Sequence, residues 1–420
     1  MRRILIVGAG QSGLQLALGL QSQGYEVTLM SNRTADEIRT GRVMSTQCMF
    51  HTALQHERDL QINFWESQAP QIKGLGVSVA GPPSDADADA DGPRPRVIDW
   101  VGTLDAYAQS VDQRVKMAGW MDTFAQRGGQ VVIHGAAVSD LDYFSRTYDL
   151  VLVSAGKGEL VSMFERDPSR SPYGEPQRAL SVAYVHGLGA RPEHPDYDAV
   201  RCNLVPGVGE LFVMPTLTTS GRADILFWEG VPGGPLDVFQ GVRDPAEHLA
   251  LTLELMERFT PWEHARATEV ELTDAGATLA GRYAPTVRHP VGRLPGGGAV
   301  LGVADVVVAN DPITGQGSNS ASKCAAAYLD AIVSHGDAAF DETWMQATFD
   351  RYWESAQHVT RWTNTMLAPP PEHVLNLIGA AGGLQPVADR FANGFNDPAD
   401  FEGFFYDPDK ANAYLAEVGA

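Results

Sequence analysis

Three glycines behind a short strand carry the first sign of chemistry in this chain. Ile4–Val7 is an apolar, strand-length run that meets Gly8, Gly10 and Gly13, and Leu14–Leu20 then opens a helix. In such a turn Gly8 permits the tight bend, Gly10 lets the backbone approach a pyrophosphate, and Gly13 lets the helix pack on the strand. The freed N–H groups around Gln11 and Ser12, with the helix dipole behind them, then face a diphosphate. A glycine triplet alone is a weak signal. Strand, glycines and helix in this order favour dinucleotide binding over an ordinary βα turn.

Two further pieces lie far downstream. Gly302-Val-Ala-Asp305 ends an expected strand, Val300–Val303, with a carboxylate at its mouth. Asp305 suits the hydroxyls of a ribitol chain and equally suits a turn or helix cap. Asp311-Pro-Ile-Thr-Gly-Gln-Gly317 is a proline-stiffened, glycine-rich turn entering a helix from about Ser318 to Val333. Pro312, Gly315, Gln316, Gly317, Ser318 and Asn319 would there present N–H groups and a positive dipole to a reduced isoalloxazine ring. Together with the N-terminal glycines they point to FAD. The second strand, Tyr25–Met30, ends in Ser31-Asn32-Arg33, where many dinucleotide folds place a ribose-binding acid. Fewer ribose contacts are therefore expected. Arg33 either serves the adenosine side or is a solvated surface arginine.

The elements that must position these residues alternate in type. A helix is expected over Ser45–Leu60, and a long one over Leu104–Arg127 stopped by Gly128-Gly129. Strands follow at Gln130–Ile133 and Asp149–Val153, the second opening into Ser154-Ala-Gly-Lys-Gly158. From Ala179 to Phe227, strand-length runs separated by glycine and proline read as an antiparallel sheet. Asp244 caps a helix that starts at Pro245 and runs to about Phe259. The segment Trp344–Ala420 is largely helical. The expected fold class is α/β: a Rossmann-like FAD-binding domain (1–165 and 290–345), an inserted antiparallel-sheet substrate domain (166–289) and a helical C-terminus (346–420).

Composition narrows the partners. At 420 residues the chain can bury a large core, and its formal charge of −21 argues against nucleic acid and anionic membranes. Cys48, Cys202 and Cys324 are odd in number and widely spaced, which suits a reducing cytoplasm and no disulfide framework. No run approaches the roughly 18 apolar residues of a membrane span, and no histidine spacing suggests a metal site. Asp85–Asp91, alternating with alanine between Pro82 and Pro95, reads as a surface loop rather than a cation site.

Several blocks resemble the styrene monooxygenases: Tyr148-Asp-Leu-Val-Leu-Val-Ser-Ala-Gly-Lys157, Pro176-Gln-Arg-Ala-Leu180, Asp311-Pro-Ile-Thr-Gly-Gln-Gly-Ser-Asn319, Arg361-Trp-Thr-Asn364 and Val111-Asp-Gln-Arg114. The resemblance runs in order from Met1 to about Asp409, with the acidic loop as an insertion. It implies the oxygenase half of a two-component system, fed with reduced FAD by a separate NADH-dependent flavin reductase, and a homodimer. Arg42 and Arg114 join the cofactor-side candidates. Single-component hydroxylases usually carry an Asp-Gly pair where this chain has Ala155-Gly156, which fits an enzyme that does not reduce its own flavin.

The resemblance also separates relatives. Styrene-preferring members carry Asn, Val and His where this chain has Ser45, Gln47 and Met49; the indole branch carries Ser, Gln and Met. Ile72, Leu75 and Ala108 fall where the styrene branch has Tyr, His and Ser. From the residues alone, Met49 and Leu75 are ordinary core. As a pocket they form an adaptable apolar wall for a flat aromatic, with Ser45 or Gln47 able to meet an indole N–H. The implied reaction is epoxidation of the indole C2=C3 bond through a flavin C4a-(hydro)peroxide, with styrene-like alkenes and aryl sulfides also accepted. No protein group need act as the catalyst. The alternatives are a styrene-preferring epoxidase and an FAD-binding module without turnover. A halogenase lacks its Trp-x-Trp-x-Ile-Pro signature here.

Overall fold

The computed structural model describes residues 2–83, 94–156 and 158–419; the acidic run Asp85–Asp91 and Lys157 lie outside them. The chain opens with β1 (Arg3–Val7), α1 (Gln11–Ser22) and β2 (Glu26–Ser31), then α2 (Ala35–Arg39) and α3 (His51–Asp59). Next come β3 (Ile72–Ala80), β4 (Arg96–Ala108), α4 (Gln113–Gln126), β5 (Gln130–Ile133), α5 (Val138–Phe144) and β6 (Leu150–Val153). The middle holds β7 (Ala179–His186), β8 (Ala199–Val205), β9 (Gly209–Thr218), β10 (Gly221–Gly230), α6 (Pro245–Phe259) and α7 (Pro261–His264). Short strands follow: β11 (Glu271–Leu272), β12 (Thr278–Gly281), β13 (Thr286–Val287), β14 (Val291–Arg293), β15 (Ala299–Gly302) and β16 (Val308–Ala309). The chain closes with α8 (Gly317–Ser334), α9 (Glu342–Met366), α10 (Glu372–Ala380), α11 (Gln385–Asn393) and α12 (Pro408–Val418).

A six-stranded sheet in the order β14-β15-β6-β1-β2-β5 forms the first layer. β15, β6, β1, β2 and β5 are parallel, and only β14 runs against its neighbour. Helices cover both faces of such a sheet, so Ile4–Val7 and Leu150–Val153 are buried along their whole length. Parallel pairing also brings the carboxyl ends of β1, β6 and β15 together at one edge, where ligands of doubly wound folds bind.

The second sheet follows the order β11-β7-β10-β9-β8-β3-β4, with β12 also paired to β7. Its side chains alternate between two cores. Val182, Tyr184, Phe212, Met214, Ile225 and Phe227 pack toward Trp362 and the aromatics of α11 and its successors. Ala183, Val185, Leu211, Val213, Leu226 and Trp228 pack toward Leu255, Met256 and Phe259 of α6. β3 and β4 belong to this sheet, so residues 72–108 leave the nucleotide-binding segment expected from the sequence. β3 pairs parallel with β8 and antiparallel with β4.

Two expected helices are shorter than read. Residues 45–50 form no helix, Met49 bridges to Gln109, and α3 begins only at His51. The expected helix from Leu104 is strand as far as Ala108: Trp100, Gly102, Leu104 and Ala108 are buried while Thr103 and Asp105 are exposed. That alternation outweighs local helix propensity. Asp112 then caps α4 by accepting from the Arg114 N–H. The helix Pro245–Phe259, with Asp244 as its cap, stands where expected. Among the described residues no helix is long and apolar enough to cross a membrane.

Candidate flavin and substrate site

The turn after β1 is built as its glycines require. Gly8 adopts φ of 120°, open to glycine alone without strain. A Cβ on Gly13 would stand 2.0 Å from the Gly8 carbonyl oxygen and 2.5 Å from Ser154 Oγ. Gly13 is thus a packing requirement. Gly10 differs: with φ of −89°, a Cβ there meets no atom within 4 Å. Protein packing does not explain a glycine at 10; space kept for a ligand does. No side chain caps α1, which leaves first-turn N–H groups for an anion.

β6 and β15 end beside this turn. The Ser154 hydroxyl donates to the Gly8 carbonyl at 2.9 Å. A Cβ on Gly156 would sit 3.1 Å from the Cβ of Asp305, so Gly156 gives Asp305 its place at the sheet edge. Ala304 holds a left-handed φ of 52°, a costly conformation for a residue with a Cβ. Its N–H is directed at Cys324 Sγ, 3.3 Å away in α8, and the bend turns exposed Asp305 outward.

The third piece is the turn into α8. Gly315 has φ of 62°, and its N–H donates to the Pro312 carbonyl at 2.7 Å. Cβ atoms on Gly315 and Gly317 would both enter open space. Gln316 donates through Nε2 to the Phe395 carbonyl at 2.9 Å, while its Oε1 is buried and unpartnered. α8 also lacks a side-chain cap. The two glycine turns converge because α1 and α8 touch near their starts. Gln15 donates to the Ser322 carbonyl at 3.1 Å, and these residues lie only about 6 and 7.5 Å along their helices from Gln11 and Gly317. Open glycine faces, uncapped helix starts and an orphaned amide oxygen fit FAD at this edge.

The cofactor-side candidates divide. Gly8, Gly10, Gly13, Ser12, Asp305, Pro312, Gly315, Gln316, Gly317 and Ser318 gather at the edge. Ser31 ends neighbouring β2 and Asn32 and Arg33 follow it, with the Arg33 guanidinium against the Met44 sulfur at 2.7 Å. Gln11 turns inward instead, donating to Glu57 and Gln15 at 2.9 and 3.1 Å. Asn319 spends its amide on protein: it accepts from the Phe50 N–H at 2.8 Å and donates to the Cys48 and Gly315 carbonyls at 2.8 and 3.3 Å. It clamps the segment 48–50 to the turn before α8.

Arg114 is fully committed as well. It pairs with Asp112 and, bidentately at 2.9 Å, with Asp274, and is only 2% exposed. Its fork is thus taken up by two carboxylates. Arg42 lies exposed at the β7–β12 edge, where it lines a cavity of about 370 Å³ with Leu180, Phe239, His248 and Arg282.

Of the substrate-side candidates, Ile72, Leu75 and Ala108 share one core on the β3–β4 ladder, while Met49 packs beside it with Ala53 and Leu54. Ile72 pairs with Ala108, Met49 bridges the adjacent Gln109, and Leu75 sits one turn of the pleat further along β3. Ile72, Leu75, Ala108 and Met49 are all fully buried. Ser45 is exposed, and its carbonyl accepts from the Tyr184 hydroxyl at 3.0 Å. Gln47 is buried; its Nε2 donates to the Val111 carbonyl, and its Oε1 has no partner. The Val111 contact fixes which end of the amide is nitrogen.

Sequence reading missed two buried polar groups. Lys116 pairs with Glu57 at 2.8 and 3.0 Å beneath α1. Below the flavin turn, burial pushes the Glu210 carboxyl up to about 7 despite its ion pair with Arg178, and pushes Asp311 up to about 6. Burial also holds Glu229 well above the carboxylate range. The signal was a lone glutamate closing the apolar run Ile225–Trp228.

Comparison with solved structures gives the class first. The fold matches a flavin-dependent brominase, Bmp2, with TM-score 0.62 over 99% of both chains at 14% identity. It also matches 2-methyl-3-hydroxypyridine-5-carboxylic acid oxygenase, with TM-score 0.58 over 97% of both chains at 15% identity. This is the flavoprotein hydroxylase fold. Residues 156–266 match the family described as "Styrene monooxygenase A putative substrate binding domain". Styrene monooxygenase StyA of Pseudomonas fluorescens is 30% identical over 100% of both chains, and StyA of a Pseudomonas species is 30% identical over 99% of this chain and 98% of that one. The chain belongs to the styrene monooxygenase family and is a FAD-dependent monooxygenase.

Proposed function

We propose that this chain is the oxygenase component of a two-component system that epoxidises the C2=C3 bond of indole. Reduced FAD, delivered by an NADH-dependent flavin reductase, supplies the electrons that activate O2. The Gly8–Gly13 turn and the start of α1 bind the diphosphate, Asp305 holds the ribitol hydroxyls, and Pro312–Gly317 seat the ring. Met49, Ile72, Leu75 and Ala108 exclude water and orient a flat aromatic. Ala155-Gly156 in place of an Asp-Gly pair supports flavin reduction elsewhere.

The observation that carries indole over styrene is the buried, unpartnered Oε1 of Gln47. A lone buried acceptor costs about 1–3 kcal/mol. An indole N–H removes that cost, and a vinyl group offers no donor. Styrene and aryl sulfides fit the same wall and are accepted as secondary substrates. Purified protein with reductase, NADH, FAD and indole should form indigo after spontaneous oxidation, and the chain alone should not consume NADH. Good turnover of styrene with indole untouched overturns the indole assignment; rapid NADH oxidation without reductase overturns the two-component one.

A further inference from the structure

Beneath the Asp311–Gln316 turn, three buried carboxyls and one guanidinium lie together. Glu229 on β10 stands opposite Glu210 on β9 in the ladder. Glu210 pairs with Arg178 at 2.7 Å. Glu229 is fully buried with neither carboxyl oxygen partnered. Asp311, also buried, accepts from the Ile313 N–H at 3.2 Å and is close enough to raise the affinity of both glutamates for a proton. The other titratable groups facing them are Tyr283, which donates to the Asn310 carbonyl at 2.6 Å, and Cys202 on β8. If every acid ionised, one cation would face three anions away from water. Like charges so placed retain protons. Glu229, with no hydrogen-bond donor and with Arg178 bonded to Glu210 instead, keeps one, and burial pushes Glu210 up to about 7 and Asp311 up to about 6.

We propose that Glu229, Glu210 and Asp311 form a buried proton store coupled to the flavin site, so that an anionic reduced flavin and a proton bind together. The coupling rests on the flavin reading above. Seating a negative ring on the Asp311–Gly317 turn draws a proton from solvent to form a carboxyl O–H bond on Glu210 or Asp311. The overall reaction has a use for it: reduced FAD monoanion, O2, indole and one proton give FAD, indole epoxide and water. The three acids act as positioning residues for charge, and none need touch substrate.

Two measurements test the store. The infrared carbonyl absorption of a buried protonated carboxylic acid should be present in free wild-type protein and persist at about pH 9, where Glu210 and Asp311 are ionised, and that high-pH band should be lost in Glu229→Gln. In weak buffer, reduced FAD should bind with uptake of up to about one proton, and its Kd should rise up to about tenfold per pH unit above pH 7. Glu210→Gln should flatten that slope. Wild-type titration of the infrared band serves if a variant fails to fold. Absence of the band, or a pH-independent Kd in wild type, overturns the store while leaving flavin binding intact. Failure of reduced FAD to bind wild type at any pH overturns the flavin reading and the coupling with it.

Discussion

Adding one methyl group at each of two neighbouring glycines should have opposite consequences. In Gly13→Ala the new carbon would lie 2.0 Å from the Gly8 carbonyl oxygen and 2.5 Å from Ser154 Oγ. Backbone on one side and a hydrogen-bonded side chain on the other leave little room, so β1 and α1 must separate. Overpacking of this kind costs about 3 kcal/mol or more. In Gly10→Ala the carbon enters open space at a φ of −89° that alanine accepts. Loss of glycine at an N-cap costs a few tenths to about 1 kcal/mol, and reduced freedom of the unfolded chain returns a similar amount. Apo stability should change by less than about 1 kcal/mol. The same methyl occupies the diphosphate's place and breaks at least one hydrogen bond to a charged group, worth about 1.5–3 kcal/mol. The FAD Kd should therefore rise roughly 10- to 100-fold. Chemical denaturation without cofactor, followed by FAD titration on flavin fluorescence, separates the effects. Wild-type affinity in a folded Gly10→Ala variant would refute the placement of the diphosphate.

Other outcomes follow from buried charge and from the proposed pocket. Lys116→Met strands the fully buried Glu57 and should cost about 3–5 kcal/mol in urea unfolding, with Glu57→Leu added in the same chain recovering much of it. Because folding raises the Glu210 carboxyl from 4.5 to about 7, the native state binds the extra proton between those values. Stability from this group is thus present at low pH and lost as pH rises through about 7, by at most about 3 kcal/mol. Melting curves of Glu210→Gln against wild type between pH 5 and 8 should show that slope reduced. Replacing Ser45, Gln47 and Met49 together by Asn, Val and His should shift the kcat/KM ratio toward styrene by at least about tenfold. An unchanged ratio would remove those residues from the specificity account.

What could be read from the chain was what local sterics dictate. The β1–glycine–α1 unit is legible because a strand meeting three spaced glycines has few other uses, and Asp244-Pro245 marks a helix start by capping and a preset φ. The Asp311–Gly317 turn was equally plain. β4 was not: Leu104–Ala108 continues without a break into helix-forming residues, and only its pairing with β3 makes it strand. The membership of β3 and β4 in the second sheet was hidden for the same reason, since nothing local tells β3 that its neighbour is β8. The pairing of Arg114 with Asp274, 160 residues along the chain, exists only in the folded protein. Glu229 sat visibly at the end of an apolar strand, but its isolation from every donor is a property of the packed sheet.

A single turnover in the absence of any reductase tests the central claim most directly. FAD reduced photochemically, bound to this chain and mixed with O2 and indole, should yield indole oxidation product at up to one equivalent per flavin, with water as the co-product. Reoxidation of the flavin to FAD with O2 released entirely as hydrogen peroxide and no oxygenated indole would contradict the claim.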